Sequence, residues 1–309
     1  MVRLFGILIG LGFVLVASVS LVSDTWAYFR TEHHETAEHR FHQHPEAHSF
    51  TTEGPFGRFD RQQLQRGFQV YREVCAGCHG ITYVAFRNLS ELGYNEAEVR
   101  KLASEFQVPD VNPNTGEPAA RAGLPADRFP APYPNEVAAR AANNNAAPPD
   151  LSLIVKARHG GPEYIRSLLM GYRNPQTWRS HDGEALPADA RPGQGLHFNP
   201  YFPNLNLAMP PPITQNGQVQ YADGTNATIE QMSTDVAAFL TWTAEPNLER
   251  RNRAGLAVLI FLLFATVLAY FAYKNVWATA KRTVRITGPL EPENIARSDA
   301  AKGDAGIAG

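Results

Sequence analysis

Cysteine is nearly missing from this chain: two residues, Cys75 and Cys78, among 309. A disulfide framework is excluded beyond a single pair, and the close spacing points to another use. Methionine is scarce as well. After Met1 only Met170, Met209 and Met232 remain, so few thioethers are open to metal chemistry. Charge is thin, at 19% of residues with a formal net of −2. That balance lacks the basic surplus of a nucleic-acid binder, and no such partner is expected. No second Cys/His pair stands at finger spacing, which argues against a zinc site. The strand–helix–strand setting of a thioredoxin-like pair is missing too.

What is present begins with two uncharged runs. Residues 4–22 follow Arg3 without a charge, a signal-peptide or signal-anchor pattern covering residues 1–27. Ala17, Ser18 and Ser20 favour cleavage after Ser20. Residues 254–273 form the second run. At ~1.5 Å per residue it spans about 30 Å, the thickness of a bilayer core. Tyr270, Tyr273 and Trp277 suit an interface at one end. Residues 250–285 therefore read as a transmembrane anchor with flanks, and 286–309 as a cytoplasmic tail. Lys274, Lys281, Arg282 and Arg285 slightly outnumber Arg250, Arg251 and Arg253, which puts the C-terminus inside. Between Tyr28 and Glu249, 25 acidic residues face 18 basic ones; from Arg250 onward nine basic residues face four acidic ones. An acidic exported domain can steer a basic partner, although solubility alone accounts for the same count.

Residues 28–57 are polar and hold six of the ten histidines: His33, His34, His39, His42, His44 and His48. No ligand spacing repeats, so a disordered leader is expected rather than a metal tract. Residues 58–249 form the main domain. Asp60 and Gln63 resemble a capping box, and Leu64, Phe68, Tyr71 and Val74 keep helical spacing. Further helices are predicted over Glu96–Phe106, Glu163–Tyr172 and from Thr228, with Gln231 completing a second box, to a stop at Pro246. Residues 107–150 and 173–227 read as loop, with a possible hairpin around Asn216-Gly217 and Asp223-Gly224. Gly67 would let the first and last of these helices approach closely.

Cys75-Ala76-Gly77-Cys78-His79 is a C-x-x-C-H sequence, the attachment signal of c-type haem. Two thiols one helical turn apart can bond the two vinyl groups, and the next residue offers its imidazole to the iron. The second axial position decides the chemistry. An open site permits peroxide or gas reactions; a second strong ligand leaves outer-sphere electron transfer, and methionine raises the potential. Candidates are Met170, Met209, Met232, His159, His181 and His197. Met170 and Met232 fall at core-like helical positions. Met209 precedes Pro210-Pro211-Pro212, which can hold a side chain rigidly, and is favoured.

The blocks around this motif resemble cytochrome c1. They are Arg66-Gly67-Phe68-Gln69-Val70-Tyr71, Tyr83-Val84-Ala85-Phe86-Arg87, Pro148-Pro149-Asp150-Leu151-Ser152, Ala157-Arg158-His159-Gly160-Gly161 and Ser167-Leu168-Leu169-Met170-Gly171-Tyr172. Phe198-Asn199-Pro200-Tyr201-Phe202-Pro203, Asp223-Gly224-Thr225-Asn226-Ala227-Thr228 and Trp242-Thr243-Ala244-Glu245-Pro246 continue the series, colinear from about residue 58 to 285. The resemblance implies a mainly α, cytochrome c-like haem domain with long loop insertions and one C-terminal transmembrane helix. It implies one haem c attached at Cys75 and Cys78, with His79 and Met209 as axial ligands, Arg158 and Tyr164 at the propionates, and Pro149 beside the haem or its first ligand. It also implies a quinol–cytochrome c reductase setting: a dimeric complex in the bacterial inner (cell) membrane with the haem domain periplasmic, a cytochrome b carrying the quinol site, a Rieske iron–sulfur donor and a cytochrome c acceptor. Where the family usually reads Asn-Asn-Gly-Ala-Leu, this chain has Asn143-Asn144-Asn145-Ala146-Ala147. A peroxidase, a gas sensor and a free-standing anchored shuttle are the rival readings.

Overall fold

The computed structural model describes residues 2–30, 36–283 and 291–304. Its internal contacts divide the chain into two units, residues 1–51 with 59–246 and residues 52–58 with 247–309. The expected mainly α character is met: the described elements are helices with two small antiparallel strand pairs.

In the first unit, α1 (Val2–Arg30) is one continuous apolar helix with exposed side chains. A short α2 (Ala37–Phe41) comes next, capped by Thr36. The core is built on α3 (Arg61–Val70), whose first turn is closed by Asp60 accepting from the Gln62 and Gln63 amides. Leu64, Phe68 and Tyr71 are buried from this segment. They meet Val236, Phe239 and Leu240 in the common core; the ring centroids of Phe68 and Phe239 lie 5.6 Å apart. These last residues belong to α8 (Ile229–Ala244), reached after α4 (Glu96–Ser104), α5 (Glu136–Ala142), α6 (Ile154–Ala157) and α7 (Gly161–Met170). Thr228 caps α8 by accepting from the Gln231 amide. The reciprocal half of the predicted box is given up, because the Gln231 side chain donates instead to Asp235.

Gly67 explains the close crossing. A Cβ there would sit 2.0 Å from the Asp235 carbonyl oxygen and 2.7 Å from Phe239 Cβ. Next to it Arg66 binds the fully buried Asp235 through Nε at 2.9 Å and Asp223 through a second nitrogen at 2.8 Å. The buried carboxylate therefore has its counter-charge and its donors, as a buried charge requires.

Three segments differ from the sequence reading. Residues 107–150 hold an antiparallel hairpin, β1 (Gln107–Val111) with β2 (Pro118–Ala122), and the helix α5. Both strands are largely exposed and so show no apolar alternation to read. Around Asn216-Gly217 and Asp223-Gly224 the described residues form turns but no strand pair. Strand pairing in that half lies earlier, between β3 (His197–Phe198) and β4 (Asn206–Leu207).

The third is the leader. His33 and His34 lie outside the described residues, but residues 36–51 pack onto the domain rather than remain disordered. Phe41 joins Leu186, Phe198 and Leu205 in a small core, and Phe50 enters the main one. The Gln43 amide donates to the Pro200 carbonyl, the Glu46 amide to Ser167 Oγ and the His48 amide to Glu163 Oε1. Polarity averaged over the segment hides two aromatic anchors and a backbone satisfied by side chains of α7.

In the second unit, α9 (Leu248–Thr283) contains an apolar stretch, Leu248–Ala278, long enough to cross a membrane. A further helix, α10 (Pro292–Asp304), lies near the C-terminus.

Candidate functional site

The helix α3 does not simply run into the cysteines. Tyr71–Cys75 winds as a single π-turn, with the Ala76 amide donating to the Tyr71 carbonyl at 2.8 Å. Such a turn inserts one residue into a helix and so re-aims the side chains beyond it. Next, the Cys78 and His79 amides both donate to the Cys75 carbonyl, at 3.1 and 2.9 Å. The two thiols thus share one tight turn, with Cys75 half-buried and Cys78 exposed. Burial and the neighbouring Cys78 push the Cys75 thiol up to about 12, so it is held as a thiol at neutral pH.

His79 is oriented from two directions. Its Nδ1 lies 2.8 Å from the Pro149 carbonyl oxygen. A carbonyl only accepts, so Nδ1 carries the proton and Nε2 is left with its lone pair. Burial lowers the imidazole's pKa, against the opposing pull of that carbonyl and Asp150. His79 thus presents an Nε2 without the ring proton, as a metal-binding imidazole requires. Tyr71 Oη donates to the His79 carbonyl at 3.0 Å, and burial keeps that phenol protonated.

Asp150 ties the Pro149 segment to the segment that follows the C-x-x-C-H motif. Its Oδ2 accepts from the Thr82 amide and hydroxyl, both at 2.9 Å, while Oδ1 accepts from the Ser152 amide at 2.8 Å. The Leu151 amide adds a bond to the Gly80 carbonyl. Burial alone would raise this carboxyl; the Ser152 and Thr82 hydrogen bonds outweigh it and leave it below its usual value.

The remaining site candidates form a second group. Arg158, exposed at the end of α6, faces the buried Tyr164 of α7, whose phenol is raised by burial against the opposing pull of that guanidinium. Tyr172, just past α7, donates from Oη to the Met209 carbonyl at 3.0 Å. Burial pushes Tyr172 up, and neighbouring Tyr164 adds to the shift. Met209 is half-buried, Met232 is fully enclosed in the main core, and Met170 ends α7. His159 and His181 are exposed and His197 is half-buried. The structure thus joins Cys75, Cys78, His79 and Pro149 in one cluster, while a second series runs from Arg158 to Tyr164, from Tyr164 to Tyr172 and from Tyr172 to Met209.

A family model described as the Cytochrome C1 family matches residues 50–280. The chain belongs to the cytochrome c1 family. It is 45% identical over 233 residues to cytochrome c1 of Rhodospirillum rubrum, covering 74% of this chain and 85% of that one. Against the mitochondrial cytochrome c1 haem protein of Saccharomyces cerevisiae it is 44% identical over 256 residues, 83% of this chain and 79% of that one. Another relative, cytochrome b/c1 of Bradyrhizobium diazoefficiens, is 44% identical over 255 residues; the match covers 76% of this chain but only 36% of that longer protein.

Cytochrome c1 proteins carry a covalently bound haem c. The residues here fit that group: two thiols on one turn, a neutral imidazole with a free Nε2, a thioether before three prolines, and a guanidinium–phenol pair for carboxylates. Sequence reasoning missed Asp150, Tyr172 and the π-turn. Asp150-Leu151-Ser152 did carry a signal, since an Asp two residues before a Ser commonly makes an Asx turn. Tyr172 carried none, because its partner lies 37 residues away. The departure at Asn143–Asn145 is also accommodated: Asn144 and Asn145 both adopt left-handed backbone, at φ 50° and 61°, which asparagine tolerates best after glycine.

Proposed function

We propose that this chain is the electron-relay subunit of a cytochrome bc1 complex, taking electrons from a Rieske iron–sulfur protein and passing them to a cytochrome c acceptor. The supporting observation is the turn from Cys75 to His79, which presents paired thiols and an imidazole whose Nδ1 is engaged by Pro149. When bound, haem c supplies reversible one-electron chemistry. Cys75 and Cys78 would bond it covalently. His79 and Met209, both neutral, would ligate its iron and leave no position open to exogenous ligands. Arg158 and Tyr164 would hold its propionates, the guanidinium fork matching a carboxylate. Pro149 fixes the His79 tautomer and orientation. No proton donor is required of the protein, in keeping with tyrosines that burial keeps protonated.

The apolar α9 anchors the chain in the bacterial inner membrane, with the haem domain on the periplasmic side. The quinol site belongs to a cytochrome b partner, and the assembly is a dimer. The acidic surplus of residues 28–249 suits a basic acceptor.

Purification in mild detergent tests this reading. Co-elution with a b-type cytochrome and an iron–sulfur protein is expected, together with a reduced spectrum unchanged by carbon monoxide. A chain that elutes alone, or binds carbon monoxide in its native state, overturns it. Met209→Leu is expected to lower the midpoint potential and admit carbon monoxide; an unchanged potential removes Met209 from the ligand set.

A further inference from the structure

We propose that Tyr172 is the positioning residue for Met209, fixing that side chain through its backbone rather than touching the iron. The inference rests on the reading of Met209 as axial ligand.

Between the end of β4 at Leu207 and Pro212, the Met209 segment is stiffened by prolines but makes no backbone–backbone hydrogen bond among the described residues. Pro210, Pro211 and Pro212 offer no N–H donors, and the Tyr172 hydroxyl at 3.0 Å makes the one hydrogen bond to Met209 among the described residues. Pro211 lines a cleft of about 470 Å³ together with Tyr172 and Phe198, so packing does not close the loop on that side. The next anchor comes at Pro212, whose carbonyl accepts from Gln218 Nε2 at 2.7 Å.

Tyr172 is itself rigidly mounted. On one side Gly171 is pressed against the fold: a Cβ there would lie 2.4 Å from the Tyr201 ring and 2.6 Å from Asn199 Oδ1. On the other, Arg173 donates from its amide to the Phe198 carbonyl and from its guanidinium to the Met170 carbonyl. The donor is held at both neighbours, while the acceptor segment is free of other backbone bonds until Pro212. A fixed donor facing a stiff segment with no other bond between β4 and Pro212 sets where the Met209 carbonyl sits.

The test is Tyr172→Phe in the full membrane-bound complex. The ring is kept and one hydroxyl is lost. The freed loop should populate an arrangement with Met209 withdrawn. Expected are a weakened far-red charge-transfer band of the oxidised haem, a lower midpoint potential and carbon-monoxide binding faster by about tenfold or more. Gly67→Ala, which disturbs the α3–α8 crossing, is the control for simple loss of stability. The proposal is overturned if Tyr172→Phe keeps the wild-type band, potential and carbon-monoxide inertness, or if Gly67→Ala shifts them equally. Should Tyr172→Phe fail to retain haem, Arg173→Leu decides, because it removes the guanidinium bonds to the Met170 and Tyr172 carbonyls that mount the donor: the same changes in smaller measure support the idea, and a wild-type band and potential refute it. Met209→Leu run alongside separates the two levels. If it opens the iron while Tyr172→Phe does not, only the positioning role fails; if it changes nothing, the ligand assignment fails with it.

Discussion

The two segments proposed to close the haem are built in opposite ways. The His79 segment grows out of a core helix, turns on a π-turn and is bonded by Tyr71, Pro149, Asp150 and Ser152 within a few residues of the imidazole. The Met209 segment crosses open loop, is stiffened by prolines and is pinned by Tyr172 and, at Pro212, by Gln218. One side is held by many short-range bonds, the other by backbone stiffness and sparse contacts. Removing one bond should therefore disturb the Met209 side more than the His79 side.

The comparison breaks most completely at the thiols. With Cys75 and Cys78 both changed to Ser, the chain is expected to lack covalent haem, read as a colourless band at its mass after denaturing electrophoresis. A pigment that survives denaturation would remove the attachment role. Next in size is Gly67→Leu, which drives a side chain into the Asp235 carbonyl and Phe239. Overpacking of this kind costs about 1–3 kcal/mol and sometimes more. Because α3 leads through the π-turn into the cysteines, thermal melting and haem retention should fall together. An unchanged melting temperature would mean that the crossing relaxes freely.

How far the sequence disclosed this molecule obeys the same division. The α3 start at Asp60, the helix from Glu96, the Thr228 cap and the close approach at Gly67 were all readable, because caps, apolar spacing and a missing side chain are local signals. α7 was placed two residues late because Pro162 occupies its first turn and reads more easily as a loop residue. The hairpin β1–β2 was not readable because both strands are largely exposed and show no apolar alternation, and the packed leader was not because its partners on α7 lie more than a hundred residues away. At the site, the five-residue haem motif was legible in full. Met209 was favoured from its three prolines and strengthened by the family resemblance, while Tyr172, which bonds its carbonyl, left no mark at all.

The smallest effect should come from thinning the dense side without removing it. Asp150→Asn keeps the shape and one carbonyl oxygen, but the amide cannot accept from all three donors supplied by Thr82 and Ser152. A loss of about 1–2 kcal/mol is expected, with the midpoint potential close to wild type because Pro149 still faces His79. The pH dependence gives the sharper reading. Asp150 is held below its usual value in the folded chain. Its contribution is thus present above the unfolded carboxyl value of about 3.9 and lost as pH falls through the folded one. Wild type should therefore lose stability relative to Asp150→Asn as the pH is taken below about 4, and the two melting curves should converge there. Parallel curves across that range would show that the carboxylate's charge contributes nothing. A large fall in potential at neutral pH would show that the His79 side, too, depends on one bond.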